Sequence, residues 1–291
     1  MPQARIGVIG GTGLYDIEGL ADIEEADIKT PFGQPSDTIT IGKLEGVGIA
    51  FLPRHGRGHR LSPTELPARA NIYALKSLGV EYIIAISSAG SFKQEIKPGD
   101  LVIPDQLIDR TRNRVNTFFG EGIVAHISFA EPFCPILCQV LYEAAKEAGA
   151  SVHPKGTFVV MEGPAFSTRA ESRLYRSWGA DLIGMTALPE AKLAREAEIC
   201  YAIIGCATDY DSWMERGEPV TIDVVLNVQR QNIDTAKKII KLAVNRMPEK
   251  RNCGCATALQ SAIVTDPELI PAEQKKKLNL LIGKYISDRK A

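Results

Sequence analysis

Several features that would narrow the function at once are scarce or absent in this sequence. The 291 residues carry 34 basic and 35 acidic side chains, so the net charge is −1. A chain this close to neutrality has no overall field that would attract nucleic acid or an anionic membrane surface. No run approaches the roughly 18 consecutive apolar residues that a membrane-spanning helix needs. We therefore expect a small-molecule partner, and neither nucleic acid nor a membrane.

The N-terminal residues also lack the pattern of a secretory signal. They enter a strand-like apolar run at once, without a charged leader followed by a long apolar segment. This favours a cytoplasmic location.

The cysteine spacing lacks a common metal-binding pattern. None of the six forms a Cys-x-x-Cys pair, so the sequence predicts no structural zinc site. A reducing cytosol favours free thiols, although the sequence leaves open whether the close pair Cys253 and Cys255 forms a disulfide. The others are Cys134, Cys138, Cys200 and Cys206.

The glycine-rich turn after the first apolar run lacks the residues of both common nucleotide-binding motifs. Asp16 stands where the dinucleotide fingerprint needs its third glycine, and no Gly-Lys-Ser/Thr follows for a P-loop. This argues against a nicotinamide-dependent dehydrogenase. What remains is either an ordinary tight turn or a turn that brings backbone N–H groups and the Thr12 hydroxyl close to an anion.

Short apolar runs alternate with amphipathic segments along the chain. The runs are continuously apolar, as is typical of central strands covered on both faces. This alternation predicts an α/β fold: a single domain over 1–291, with a central mixed twisted sheet flanked by helices. We expect a helical tail over about 256–291. The predicted strands cover 5–10, 48–53, 82–88, 100–104, 156–162, 180–185 and 199–206.

Four of the predicted strands end in hydrogen-bond donors. Ligands of open α/β sheets bind at the carboxyl ends of the strands, so these donors are candidates to hold an oxyanion such as phosphate. Taken singly, each has a plain alternative: a tight turn, a solvated basic loop, a Ser-Gly turn or a threonine at a helix entry. The donors are Thr12, Arg54 with His55, Ser87 with Ser88, and Thr186.

A fifth strand exit carries acids instead. Asp209 and Asp211 follow the run 199–206 in the stretch ATDYDSW. Carboxylates recognise N–H groups or a basic nitrogen, so phosphate and a nitrogenous base together fit this division between donors and acids. Side chains one residue apart point in opposite directions along a strand. The two acids can therefore share one base only if the chain turns at Tyr210.

These motifs resemble those of a known family. The blocks IGVIGGTGLYD, PRHGRGH, EGPAFSTRAES, WGADLIGMTALPEAKLAREAEICYA and ATDYDSW are similar to the 5′-methylthioadenosine phosphorylase branch of the purine nucleoside phosphorylases, over about 5–245. The resemblance implies a nucleoside phosphorylase-like fold and phosphorolysis of methylthioadenosine to adenine and 5-methylthioribose 1-phosphate, as in purine and methionine salvage. It implies phosphate as co-substrate, no metal or organic cofactor, and a homotrimer or a dimer of trimers.

The resemblance also implies roles for individual residues. Met185 matches a ribose contact, Phe166 a contact to the base and His126 a position near the 5′ end of the nucleoside. Asp209 and Asp211 match the acids that read the base. The phosphate-binding positions match Thr12, Arg54, His55, Ser87, Ser88 and Thr186.

The chemistry of glycosidic cleavage agrees with these roles. The purine leaves as a poor anion unless N7 gains a proton, which a buried acid with a raised pKa can supply. We therefore predict that Asp209 is catalytic and that Asp211 binds the adenine N6 amino group. The alternatives are a broader purine nucleoside phosphorylase acting on adenosine, inosine or guanosine, and a catalytically silent nucleoside sensor.

An apolar stripe near the start of a long predicted helix completes the candidate site. Ile222, Val225 and Leu226 fall at i, i+3 and i+4. A thioether substituent needs such a surface, although a plain core stripe would look the same. The resemblance favours a pocket wall for the 5′ substituent and implies that a neighbouring subunit supplies it.

Overall fold

A mixed β-sheet with helices packed on both faces forms the body of the chain. The computed structural model describes residues 4–11, 14, 16–214 and 222–287. The strands are β1 (Ile6–Gly10), β2 (Ala21–Ala26), β3 (Ile39–Leu44), β4 (Val47–Pro53), β5 (Tyr82–Ser91), β6 (Leu101–Val102), β7 (Gln106–Arg110), β8 (Val152–His153), β9 (Thr157–Met161), β10 (Leu182–Gly184) and β11 (Cys200–Asp209).

Seven α-helices lie within the described ranges. They are α1 (Ala68–Ser77), α2 (Pro135–Glu147), α3 (Arg169–Ser177), α4 (Ala187–Glu196), α5 (Ile222–Val244), α6 (Ala272–Lys277) and α7 (Asn279–Ser287), with a 3₁₀ turn at Gly254–Thr257. None of those in the described ranges combines the length and apolar content needed to cross a bilayer.

Strand β5 lies at the centre of the sheet and aligns the strand ends that matter for the site. It pairs in parallel with β1 and with β11, and its last residues pair antiparallel with β10. Strand β1 also pairs in parallel with β4. The carboxyl ends of β1, β4, β5 and β11 therefore meet at one edge, where Gly90 lies beside Asp209.

Alternate side chains of the central strands enter two separate apolar cores. On one face, Ile83 and Ala85 of β5 pack with residues of α1 and α4. On the other face, Tyr82 and Ile84 pack with residues of α2 and α5. All ten residues of β11 are buried. Burial on both faces explains why the sequences of the central strands are continuously apolar.

The predicted fold class is confirmed, but several strands were not recognisable as apolar runs. Strand β2, with the sequence ADIEEA, is almost fully exposed and pairs antiparallel with β3. Its polar composition suits a sheet edge. Because it has no apolar run, it could not be recognised as a strand from hydrophobicity alone. Strand β11 also continues three residues beyond the predicted end and reaches Asp209 itself. In the predicted C-terminal tail, α6 and α7 are helical, whereas most of 258–271 forms turns and bends.

Candidate active site

A cleft opens where the carboxyl ends of the parallel strands meet. Its volume is about 1150 Å³, part of which is open to solvent. Most of the predicted site residues line it, although they come from widely separated parts of the chain. They are Arg54, His55, Ser87, Ser88, Phe166, Met185, Thr186, Asp209 and Asp211.

Arg54 is a buried cation that the protein itself holds in place. Its side chain donates through Nε and Nη2 to the two carboxylate oxygens of Glu190, at 2.6 and 3.1 Å. It also donates to the carbonyl oxygens of Ile86 and Ile9. Because four of its five N–H groups are used in this way, at most one Nη1 hydrogen is left to bind an anion. The pair of N–H groups on one edge of the guanidinium, which would suit two phosphate oxygens, is occupied by Glu190.

The Arg54–Glu190 pair is well compensated within the core. Both side chains are about 2% exposed, and the Tyr201 hydroxyl donates to Glu190 at 2.9 Å. Burial by itself would lower the pKa of Arg54, but the adjacent Glu190 carboxylate raises it. Arg54 therefore remains a guanidinium whose charge is largely balanced before any ligand binds.

His55 is a neutral imidazole at the edge of the cleft. Burial, reinforced by the charge of Arg54, lowers its pKa to about 4. Its Nδ1 lies 2.8 Å from the carbonyl oxygen of Leu61, which can only accept, so Nδ1 carries the proton. The ring stacks on His59 with centroids 4.2 Å apart. This arrangement leaves Nε2 as an acceptor, which suits the hydroxyl of a protonated phosphate.

Hydroxyl groups from β5 and from the start of α4 lie next to each other in the cleft. The Oγ of Ser87 and the Oγ1 of Thr186 are 3.0 Å apart, and either can donate to the other. Ser88 lines the same part of the cleft. Hydroxyls can reorient towards an incoming oxyanion, so this side of the cleft provides donors together with one largely neutralised cation.

Asp209 lies in the cleft with one carboxylate oxygen satisfied and the other free. The Thr208 hydroxyl donates to its Oδ2 at 2.7 Å. Among the described residues, its buried Oδ1 has no hydrogen-bond partner. Burial raises the pKa of Asp209 to about 6, and the nearby charge of Asp211 adds to the rise. Such a group can hold a proton close to neutral pH and give it to a ligand.

Asp211 is brought back towards Asp209 by a turn in the chain. Strand β11 ends at Asp209, with a register shift after Ala207, and residues 211–213 form a turn. Asp211 is 4% exposed, and burial raises its pKa as well. Its Oδ2 has no partner within the described part of the chain. The turn expected from the spacing of the two acids is present.

Gly90 of β5 provides the space into which both acids fit. A Cβ atom built on Gly90 would lie 3.1 Å from Asp209 Oδ1 and 3.1 Å from the Cβ of Asp211. Both contacts are tighter than ordinary van der Waals packing. The two acid side chains therefore converge over one glycine, although they leave the backbone one residue apart.

The loop after β9 forms the opposite wall of the cleft. Helix α3 begins with a capping box in which Thr168 and Glu171 exchange side-chain and backbone hydrogen bonds. This cap fixes the preceding loop, where Phe166 is 43% exposed at the cleft mouth. Arg114 donates to the carbonyl oxygens of Met185 and Glu162. An apolar ring and a thioether therefore line the same cleft as the donors and the acids.

Some predicted residues are not placed in this cleft. His126 is exposed and does not line the cleft of its own chain; its backbone N–H donates to the carbonyl oxygen of Ala262. Thr12 lies outside the described residues. The stripe Ile222, Val225 and Leu226 belongs to α5 by its backbone, but its side chains also lie outside the description.

The residues that hold the site in place were not predicted from the sequence. Glu190 and Tyr201 sit inside segments read as an amphipathic helix and an apolar strand. The available signal was an acid in a helix that also carries many small apolar residues, because a buried acid requires a cationic or hydrogen-bonding partner. Thr208 and Gly90 carried no distinctive signal.

Removing the charge of Glu190 should destabilise the protein because it leaves Arg54 buried without a counterion. We expect Glu190→Gln to lower the free energy of unfolding by about 3–5 kcal/mol, measured by urea denaturation. Tyr201→Phe is the matched control, since it removes a single hydrogen bond and should cost about 1 kcal/mol. Equal losses in the two variants would contradict an essential ion pair.

Comparison with known proteins identifies the family. A profile of the phosphorylase superfamily matches residues 5–245. The S-methyl-5′-thioadenosine phosphorylase of Geobacter sulfurreducens is 59% identical over 282 residues, covering 97% of this chain and 99% of that protein. The enzyme of the same name from Koribacter versatilis is 53% identical, with 99% of each chain covered.

Solved structures agree with these sequence relatives. A methylthioadenosine phosphorylase from an antarctic soil metagenomic library superposes with a TM-score of 0.93 at 49% identity, covering 97% of this chain and 99% of that one. A variant of the Schistosoma mansoni adenosine/methylthioadenosine phosphorylase, in complex with methylthioadenosine, has a TM-score of 0.82 at 36% identity, covering 89% and 96%. The chain therefore belongs to the phosphorylase superfamily, among the S-methyl-5′-thioadenosine phosphorylases.

Proposed function

We propose that this chain catalyses phosphorolysis of S-methyl-5′-thioadenosine, giving adenine and 5-methylthioribose 1-phosphate. It is thus a pentosyltransferase. The observation that carries the proposal is the division of one cleft into a donor end and an end with two buried acids. Each acid has one oxygen with no hydrogen-bond partner among the described residues. The family to which the chain belongs supports the same reaction.

At the donor end, phosphate would be held by the hydroxyls of Ser87, Ser88 and Thr186 together with Arg54 and His55. Arg54 contributes one N–H and a balanced charge, so phosphate is bound mainly by directed hydrogen bonds. Neutral His55 accepts through Nε2 from a phosphate hydroxyl. Fixed donors of this kind orient the nucleophile towards C1′ and stabilise the oxocarbenium-like transition state without reorganising. Thr12 is expected to join them.

At the acid end, Asp209 would protonate the departing purine. The C1′–N9 bond breaks with its electron pair moving into the purine ring, while the proton of Asp209 passes to N7. A phosphate oxygen forms the new bond to C1′. Asp211 accepts a hydrogen bond from the N6 amino group, and Phe166 contacts the base while Met185 contacts the ribose.

The acid end also favours a 6-aminopurine over a 6-oxopurine. A C6 carbonyl would place an acceptor against the carboxylate of Asp211, which leaves both groups without a donor. A broader activity on inosine or guanosine is therefore disfavoured, whereas adenosine keeps the same base contacts. The reaction needs inorganic phosphate as co-substrate, and we propose no organic cofactor and no catalytic metal.

The proposal extends to the oligomeric state and the cellular location of the enzyme. We propose that it is cytoplasmic and forms a homotrimer or a dimer of trimers. His126 is exposed and outside its own cleft, so a role near the 5′ end requires that it reach the cleft of a neighbouring subunit. Ile222, Val225 and Leu226 are expected to form an apolar wall for the methylthio group across the same boundary.

Replacing Asp209 should separate proton donation from phosphate binding. We expect Asp209→Asn to lower kcat/KM for methylthioadenosine by about 10²–10⁴-fold, because an amide cannot give N7 a proton. The KM for phosphate should change little, and phosphate should remain essential for adenine release, followed by chromatography. Asp22→Asn, an exposed substitution, should behave like the wild type. Wild-type turnover in Asp209→Asn would refute the proton-donor role.

The same residue should make the stability of the protein depend on pH. Since burial raises the pKa of Asp209 from 3.8 to about 6, the folded state holds its proton more tightly than the unfolded chain does. The stabilisation that comes from this tighter proton binding is fully present below about pH 4 and is lost as the pH rises to about 6. Asparagine cannot ionise, so Asp209→Asn should gain up to about 3 kcal/mol relative to wild type between pH 4 and pH 7. A difference that stays constant over this range, measured by urea unfolding, would contradict the shift.

A further inference from the structure

Four of the six cysteines meet in one cluster, away from the cleft. The sulfur atoms of Cys134, Cys200, Cys253 and Cys255 all lie within 4.8 Å of one another. The sulfurs of Cys200 and Cys253 are 3.4 Å apart, and all six cysteines are free thiols. Three of the four are buried and Cys253 is half-buried. Neither the proposed reaction nor the family resemblance assigns this cluster a role.

The spacing of the four sulfurs suits one tetrahedral metal ion. A zinc–thiolate bond is about 2.3 Å long, so the sulfurs of a Cys₄ site lie about 3.8 Å apart along the edges of a tetrahedron. The observed separations bracket this value, with no pair beyond 4.8 Å. Four thiolates within such a distance of one another repel strongly unless a cation or protons lie between them.

Each cysteine is carried by a well-defined part of the fold. Cys134 precedes the first turn of α2, and its backbone N–H donates to the Tyr201 carbonyl at 2.8 Å. Cys200 begins β11, and its N–H donates to the Glu81 carbonyl. Cys253 and Cys255 flank and form the short 3₁₀ turn. These backbone hydrogen bonds hold Cys134 and Cys200 in position.

The local electrostatics favour a thiolate at Cys134. This residue is the N-cap of α2, where the helix dipole stabilises negative charge. A dication bound between the four sulfurs would displace the thiol protons.

We propose that Cys134, Cys200, Cys253 and Cys255 bind one Zn²⁺ in a closed, structural site. Soft thiolate ligands in a tetrahedral S₄ arrangement select zinc among the common divalent metals. On binding, each remaining thiol releases its proton to solvent, and four Zn–S bonds form without any change of oxidation state. Because all four positions are taken by protein, the ion has no open site for a substrate.

The position of the cluster indicates what the ion does. Cys200 and Asp209 are the first and last residues of the ten-residue β11, so the cluster lies about 30 Å from the acids along the strand. It joins the start of β11 and of α2 to the segment after α5. Beside it, Glu198 pairs with Lys284 and accepts from the Leu259 N–H, which anchors the C-terminal region. The ion would fasten this region to the sheet without touching the chemistry.

The site was hidden in the sequence because its ligands are distant and do not form a Cys-x-x-Cys pair. Cys253 and Cys255 are separated by one residue, and the other two cysteines precede them by more than fifty positions. The expectation of no metal rested on local spacing alone. The fold brings Cys134 and Cys200 next to Cys253 and Cys255 and so completes the set of four ligands.

Metal analysis of the purified full-length protein tests the proposal. Protein prepared without chelator should contain about one zinc per chain by inductively coupled plasma mass spectrometry. Replacement by Co²⁺ should give the intense d–d and sulfur-to-metal absorption of tetrahedral cobalt thiolate. Removal of the metal by a chelator should lower Tm by at least about 5 °C, while phosphorolysis measured well below Tm stays unchanged.

Cysteine variants identify the ligands. Cys253→Ser and Cys200→Ser should each lose zinc and the cobalt spectrum. Cys138→Ser is the matched control, since this thiol lies one turn along α2 and outside the cluster, and it should keep both. If Cys200→Ser fails to fold, the half-buried Cys253 variant and the wild-type cobalt titration still decide the question. Wild-type protein with two disulfides in the cluster, or with free thiols that take up neither zinc nor cobalt, would overturn the proposal.

Discussion

The burial of two carboxylates side by side at the end of β11 is the constraint on which the site depends. Neither Asp209 nor Asp211 has a cationic partner among its described contacts, and each keeps one unpaired oxygen. A folded protein tolerates this cost where a ligand supplies the missing donors. An adenine ring offers an N6 amino group, and in the proposed reaction its N7 would accept the proton that Asp209 retains.

At the opposite end of the cleft, the basic side chains contribute little net charge. Arg54 is neutralised in advance by Glu190, and His55 is held uncharged. In the proposed reaction, phosphate would therefore meet directed hydrogen bonds rather than a strong positive charge. Such an arrangement would bind the nucleophile without holding it too tightly to react. The central strands β5 and β11 carry residues of both ends, so their shared register sets the distance between phosphate and base.

Much of this could be predicted from the sequence because the informative residues follow apolar strands. Arg54, His55, Ser87 and Thr186 were identifiable as polar side chains at strand ends, although His55 accepts rather than donates. The turn at Tyr210 followed from the spacing of Asp209 and Asp211. Other features depend on contacts between distant parts of the chain. The ion pair between Arg54 and Glu190 spans 136 positions, and the four-cysteine cluster joins three segments. The exposed edge strand β2 was missed because its sequence carries no buried face.

Turnover of methylthioadenosine should be compared with that of 5′-methylthioinosine, because the two nucleosides differ only in carrying a 6-amino or a 6-oxo purine. Both should be assayed with saturating phosphate, with parallel reactions lacking phosphate. We predict phosphate-dependent release of adenine, with kcat/KM at least about 100-fold higher than for the 6-oxo nucleoside, because that base leaves Asp211 without a donor. Equal or faster cleavage of 5′-methylthioinosine, or adenine release without phosphate, would contradict it.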